Sequence, residues 1–378
     1  MRILIINYEF PPLGGGAGNA SYFIARELVN KGHEITVLTS GFKGLPASQS
    51  KDGISVLRIP VRRKYIDRSN IFEMSIFIVS AIKNASKVIR TANPEKILVF
   101  FGIPGGPVGL WLKIRHGIPY ILSLRGGDVP GFLPDQLRIY HYLTSPLSHL
   151  IWRNAASVCT NGEHLKQLAQ RFEPGLRIES IPNGIDIEYY TNVKPNIHHK
   201  LNLVFVGRLT KQKGLESLLK ALAIISDNKP ETGIHLYLVG DGPQRVELEA
   251  LAKHYKIERM ITFKGWIPRD SLPGIYSQGE IFILPSIDEG LPNVVLEAMA
   301  SGLPVISTSV LSDEGIVEEG ITGFLISSAD PRTMADKILY FLENPEQIKK
   351  MGLAARKHVE KHFSWQKAAS EFERFLNE

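Results

Sequence analysis

The chain has 378 residues, of which 44% are hydrophobic and 22% charged. That balance is typical of globular proteins and excludes wholesale disorder, collagen and disulfide scaffolds. The net charge of +6 is uneven: residues 1–190 carry 22 basic and 14 acidic side chains, residues 191–378 carry 22 and 24. A basic first half suits an anionic partner (nucleotide, phospholipid or nucleic acid), or is a solvated surface.

The elements alternate from the start. Ile3 to Ile6 reads as a parallel strand buried on both faces, Ala20 to Val29 as a helix ended by Gly32, and Ile35 to Leu38 as the next strand. Ile97 to Phe101 reads as a strand, Val108 to Ile114 as a helix, and Tyr120 to Leu124 and Ser157 to Thr160 as strands. From Leu201 the same grammar restarts, with strands at Leu201–Val206, Ile234–Val239, Ile261–Lys264, Ile281–Leu284, Val305–Ser307 and Phe324–Ile326. Helices are expected between them, among them Leu215–Ile225, Val246–Tyr255 and Val294–Ala300.

The expected fold is therefore α/β, with two doubly wound parallel sheets. Residues 1–190 would form the first domain, completed by a terminal helix within 362–378. Residues 191–200, polar and without periodicity, read as a linker, and 201–361 as the second domain. Two such domains would form a cleft between the carboxyl ends of their sheets. The apolar run after Met1-Arg2 stops at Asn7, too short for a signal peptide. Ile71 to Ile82 is the longest apolar stretch, well short of the ~20 residues that cross a bilayer. A cytoplasmic location is the default expectation. Cys159, the single cysteine, reads as a small buried hydrophobe rather than a nucleophile.

Three segments carry chemistry. The loop Glu9 to Ala20 holds Gly14, Gly15, Gly16 and Gly18 just before a helix, where backbone can approach an anion. It does not fit the G-x-G-x-x-G dinucleotide fingerprint, because Pro11-Pro12 intervene and Asn19 takes the third glycine's place. After the strand ending at Val206, Arg208 and Lys213 flank a turn as a planar fork and a mobile point charge, suited to clamping a diphosphate. In Asp288 to Glu297, Pro292 opens a helix, so Glu289 falls in the loop and Glu297 about one turn inside. Glu297 stands among apolar neighbours, and a buried carboxylate needs partners; ribose hydroxyls would serve. The bland alternatives are a flexible loop, a surface charge cluster and one exposed helical glutamate.

Gly207-Arg-Leu-x-x-x-Lys-Gly, Gly240-Asp-Gly-Pro and Glu289-x7-Glu297, with Pro182-Asn-Gly-Ile-Asp186, together resemble glycosyltransferase family four nearly end to end. The resemblance implies the GT-B fold of two Rossmann-like domains, with a C-terminal helix crossing back to the first. It also implies a retaining transfer of sugar from a nucleoside-diphosphate sugar, UDP- or GDP-linked. Arg208 and Lys213 would hold the diphosphate, Glu297 the ribose and Glu289 the donor sugar. Leu291, Pro292, Asn293 and Val294 would present backbone amides to the sugar and phosphates. Gly240, Trp266 and Ile267 would border the donor, the Gly265-Trp-Ile267 turn at the base edge, and Gly15 and Gly16 would face the phosphates. Many members carry a histidine where Leu122-Ser-Leu-Arg-Gly-Gly-Asp128 has Arg125. An arginine cannot act as a base near neutral pH; it would grip a leaving phosphate or an acidic acceptor, leaving Asp128 to contact sugar hydroxyls.

No cofactor is expected. No D-x-D occurs, so no metal is expected either. The acceptor, a glycan or a lipid-linked or small molecule, would meet the first domain. There Arg58, Arg62, Arg63, Lys64 and Arg68 precede Ile71–Ile82 as a basic and apolar element able to rest on an anionic membrane, or as a charged loop before a core-facing helix. No nucleic-acid partner is expected. The rival readings are a GT-B nucleotide-sugar 2-epimerase and a non-catalytic sugar or nucleotide receptor.

Overall fold

The computed structural model describes residues 1–66, 69–190, 201–229, 233–287, 291–309, 315–327 and 329–378. The linker 191–200, Arg68 and Glu289 lie outside the described residues. The described chain resolves into two units, Met1–Gly184 with Trp365–Glu378, and Ile185–Ser364.

In the first unit the elements run β1 (Arg2–Ile6), α1 (Gly16–Asn30), β2 (Glu34–Ser40), β3 (Ser48–Lys51), β4 (Ile54–Ile59), α2 (Ile71–Ala92), β5 (Lys96–Phe100), α3 (Gly105–His116), β6 (Tyr120–Leu124), α4 (Pro134–Asn154), β7 (Ser157–Thr160), α5 (Glu163–Phe172) and β8 (Ile178–Ser180). They build an eight-stranded sheet in the order β3-β4-β2-β1-β5-β6-β7-β8, parallel except for β3. The apolar runs are continuous because both faces are covered. Leu4 and Ile6 of β1 join one core with Phe77 of α2, while Ile3 and Ile5 join another with Ile24 of α1. The β3–β4 hairpin was not expected from the sequence, although its signal is there. Asp52-Gly53 joins the strands with φ of 52° and 76°, the left-handed pair of a two-residue hairpin turn.

The second unit runs β9 (Leu201–Val206), α6 (Leu215–Asn228), β10 (Ile234–Val239), α7 (Arg245–His254), β11 (Ile261–Gly265), α8 (Leu272–Tyr276), β12 (Ile281–Leu284), α9 (Asn293–Ala300), β13 (Val305–Thr308), β14 (Gly323–Ile326), α10 (Pro331–Glu343) and α11 (Pro345–His362). Its six parallel strands are ordered β11-β10-β9-β12-β13-β14. The last helix, α12 (Trp365–Asn377), belongs to the first unit. It packs on α1, with Trp365 stacked on Phe23 at 5.0 Å and Phe372 over Phe100 at 6.4 Å.

Two boundaries differ from those expected. Residues 185–190, expected in the first domain, pack into the second: Ile185 and Tyr190 are in its core, and Arg356 donates to the Tyr190 carbonyl at 2.6 Å. Residues 362–364 also stay with the second unit. The stretch Ile71–Ile82 is the first half of α2. Asn70 caps it in a reciprocal box with Glu73, accepting from the Glu73 amide at 2.9 Å while Glu73 accepts from the Asn70 amide at 3.2 Å.

Candidate functional site

In an open doubly wound sheet, ligands bind at the carboxyl ends of the strands where the strand order reverses. In the second unit that point lies between β9 and β12. The loop after β9 carries Arg208 and Lys213, and the loop after β12 leads into α9. The two loops are tied together: the Ile287 amide donates to the Gln212 carbonyl at 2.8 Å. A Cβ on Gly214, whose φ is +61°, would stand 2.1 Å from the Pro285 carbonyl oxygen. Gly240 is equally constrained on the other side, since a Cβ there would meet the Gly207 carbonyl at 1.8 Å. These glycines permit backbone to pack on backbone, which places the Arg208 loop. Arg208 is exposed and Lys213 half-buried.

Helix α9 begins at Asn293 with Pro292 as its cap residue, and Leu291 and Pro292 are buried. Glu297 lies about a turn inside and is buried, as its apolar neighbours suggested. The Tyr276 hydroxyl donates to Glu297 Oε2 at 2.8 Å, and Tyr190 also lies beside the carboxylate. Burial pushes the Glu297 carboxyl above its ordinary range, while the Tyr276 hydrogen bond and the nearby charge of Arg269 pull it down. After β11, Trp266 is 74% exposed and Ile267 half-buried. The Gly240 amide donates to the Gly265 carbonyl at 2.8 Å, joining the loops that carry Gly240 and Trp266.

In the first unit the order reverses between β1 and β5. The glycine loop follows β1, with α1 starting at Gly16 and Gly15 as its cap residue. The Gly15 amide donates to Glu9 Oε2 at 3.3 Å, so the loop holds a carboxylate of its own at the position expected to face phosphates. Asp128 is buried, and both oxygens of its carboxylate accept hydrogen bonds. It accepts from the amides of Gly102 at 2.7 Å, Gly126 at 2.9 Å and Arg125 at 3.0 Å, binding the loop after β5 to the loop after β6. That network shapes the loops, and Asp128 also lines the pocket beside them.

Arg125 turns inward. Its guanidinium lies over the Phe100 ring at 4.4 Å and donates from Nη1 to Asn183 Oδ1 at 2.8 Å. Burial pushes it down to about 10, so it is still a cation at neutral pH and no base. Arg58 and Arg63, expected in a surface basic run, are buried as well. Arg58 reaches the Pro11 carbonyl at 3.2 Å, and Arg63 reaches the Tyr8 carbonyl at 3.2 Å and packs over the Tyr8 ring. Only Arg62 and Lys64 of that run, among the described residues, are exposed. Beside these loops is a pocket of about 790 Å³, lined by Tyr8, Glu9, Asp128 and the first turns of α2 and α4. Among the described residues no group of three His, Cys, Asp or Glu side chains is placed to hold a metal ion.

Comparison with known proteins decides the family. The profile of Glycosyltransferase Family 4 matches residues 14–189, and that of Glycosyl transferases group 1 matches residues 190–358. The chain belongs to glycosyltransferase family 4. An N-acetyl-alpha-D-glucosaminyl L-malate synthase of Bacillus anthracis is 25% identical over 96% of this chain and 93% of its own. An uncharacterised glycosyltransferase of Methanocaldococcus jannaschii is 26% identical over 98% and 96%. Among solved structures, sucrose-phosphate synthase from Thermosynechococcus elongatus superposes with a TM-score of 0.83 at 21% identity, covering 99% of this chain and 98% of that one. Anabaena HepE, solved with UDP and glucose, gives 0.73 at 20% identity, covering 100% and 99%. The fold is GT-B and the activity is that of a nucleotide-sugar glycosyltransferase, which the comparisons favour over the epimerase and receptor readings.

Sequence reasoning missed Glu9 and Tyr276. Glu9 had a usable signal: a carboxylate directly after the first strand, ahead of a glycine loop. Tyr276 had none, because a hydroxyl that meets Glu297 from another helix leaves no local pattern.

Proposed function

We propose that this glycosyltransferase moves a sugar from a UDP- or GDP-sugar to a glycan or lipid-linked acceptor, with retention of anomeric configuration and without a metal. The observation that carries the reading is the joined pair of loops between β9 and β12, which brings Arg208, Lys213 and the start of α9 to one strand-order reversal. The donor carbon passes through an oxocarbenium-like state as the diphosphate departs with growing negative charge. Preorganised cations and helix amides are the direct means of stabilising that charge.

In this reading Arg208 and Lys213 hold the diphosphate, residues Leu291 to Val294 offer amides, and Glu297 receives the ribose hydroxyls. Trp266 and Ile267 border the base, and Glu289 contacts the donor sugar. The departing phosphate takes the acceptor proton, because Arg125 is a buried cation and the Asp128 carboxylate is already engaged. Support for a uridine donor comes from HepE, solved with UDP and glucose. Retention follows from the family resemblance. The test is incubation with UDP- and GDP-sugars in EDTA across a panel of glycan and lipid acceptors. Nucleotide release that requires acceptor, with the donor's anomeric configuration kept in the product by NMR, is the expected result. An inverted product, or activity abolished by EDTA and restored by a divalent cation, would overturn it.

A further inference from the structure

The first unit covers its sheet with two unlike helical layers. On one face lie α1 and α12, whose charges are mixed: Arg26 and Glu27, then Lys367, Glu371, Glu373 and Arg374. On the other, α2 packs on α3 and α3 on α4, their inner sides forming the second core. The outer side of this second layer is of one kind. Helix α4 exposes Ile139, Tyr142, Leu143, Leu147 and Leu150, between 39% and 81% accessible, along one stripe at helical spacing. Helix α3 adds Ile114 and α2 adds Ile71, Phe72 and Val79, all exposed.

The exposed charges among these helices are nearly all positive. Lys83, Lys87 and Arg90 stand on α2, Arg115 on α3, Arg138 and Arg153 on α4. Arg153 is paired with Glu173. The acidic residues are Asp135, which is exposed, and Glu73, which is buried in the α2 cap. Large apolar side chains beside unopposed cations are what a bilayer with anionic headgroups attracts. A soluble partner protein would be expected to meet a face with both signs of charge.

We propose that the outer face of α2, α3 and α4 docks on an anionic phospholipid bilayer, with the α4 stripe entering the headgroup region. The pocket of about 790 Å³ is lined by the first turns of both α2 and α4, including the exposed Ile71 and Phe72, so its apolar edge is continuous with the docking face. The acceptor is then an amphiphile drawn from that bilayer, a refinement that rests on the transferase reading; the docking itself does not.

The test is sedimentation of the full chain with vesicles of phosphatidylcholine alone and of phosphatidylcholine mixed with phosphatidylglycerol. Binding is expected to favour the anionic vesicles by about tenfold or more and to weaken as salt screens the basic side chains. The variant I139S/Y142S/L143S is expected to lose about tenfold in binding with its thermal transition kept. Should that variant fail to fold, K83E/K87E, altered only at exposed positions, is expected to lose binding to anionic vesicles alone. Equal or absent sedimentation with the two vesicle types, variants that bind like the parent, or a parent dimer that the serine variant makes monomeric without vesicle binding would each overturn the proposal. Calorimetry with UDP on the same preparations reports separately on the donor reading: vesicle binding without UDP binding counts against that reading and leaves the docking face intact.

Discussion

The two sheets reverse their strand order at equivalent places, yet the chemistry gathered there is opposite. In the second unit the reversal between β9 and β12 carries cations on a loop held by backbone packing, with Arg208 left exposed. In the first unit the loops after β1 and β6 carry carboxylates, and they are turned to the protein's own amides: Glu9 to Gly15, Asp128 to Gly102, Arg125 and Gly126. One site keeps its charge available; the other uses charge to fix the shape of an apolar-edged pocket. Under the proposed function, the same backbone solution serves donor activation in one unit and acceptor shape in the other.

The largest expected effect follows from the exposed side of that contrast. Lys213→Ala should lower turnover by about 10²–10³-fold, the usual cost of removing a preorganised charge from a departing group. The thermal midpoint should move little, because Lys213 is only half-buried and the loop is held by Gly214 and Gln212. Steady-state kinetics beside a melting curve separates the two. A variant with parental turnover would remove Lys213 from the mechanism.

Asp128→Ala should behave in the opposite manner. It leaves three amides, two of them buried, without an acceptor, for a loss of about 3 kcal/mol or more in stability. Affinity for UDP should change little, since apart from Gly15 and Gly16 the residues expected to hold the donor belong to the other unit. Denaturation and calorimetry with UDP check the two halves. A stable variant with weakened UDP binding would reverse the roles of the two sites.

How far the sequence already carried this contrast depends on where each partner sits. The strands were legible because β1, β5 and β12 carry continuous apolar runs, and β6 and β9 are broken only by Ser123 and Asn202, the pattern of a sheet covered on both faces. The depth of Glu297 was legible from its apolar helix. The burial of Arg58 and Arg63 was not, because their partners are carbonyls of Pro11 and Tyr8, distant in sequence and of no particular residue type. Helix α4 was missed for a related reason: it turns apolar residues outward as well as inward, so no single stripe marks it.

Tyr276→Phe tests the donor site more finely. It removes the hydroxyl that donates to the buried Glu297, a charge-assisted bond worth about 1.5–3 kcal/mol. That hydrogen bond is one of the influences lowering the Glu297 carboxyl, so its loss raises the carboxyl further. If ionised Glu297 receives the ribose, the acid limb of kcat/KM should move to higher pH in the variant. An unmoved limb would show that Glu297 does not act as an ionised group in donor binding.

The smallest effect lies far from either reversal. Glu280, at the start of β12, is buried and accepts from the Asn202 amide at 2.6 Å, which joins β12 to β9 at their amino ends. Burial pushes its carboxyl from 4.5 up to about 7, against the opposing pull of that amide. Between those values the folded protein keeps a proton that the unfolded chain has released. The stabilising contribution is therefore complete below the unfolded value of 4.5 and lost as pH rises through about 7. A glutamine side chain at this position would accept from the same amide without a charge to desolvate. Glu280→Gln should then match the parent at acid pH and exceed it by about 1 kcal/mol in alkali, allowing for partial solvent screening. Urea titrations at the two pH extremes measure the difference. A parent that is as stable as the variant in alkali would mean that this amino-end carboxylate ionises without cost.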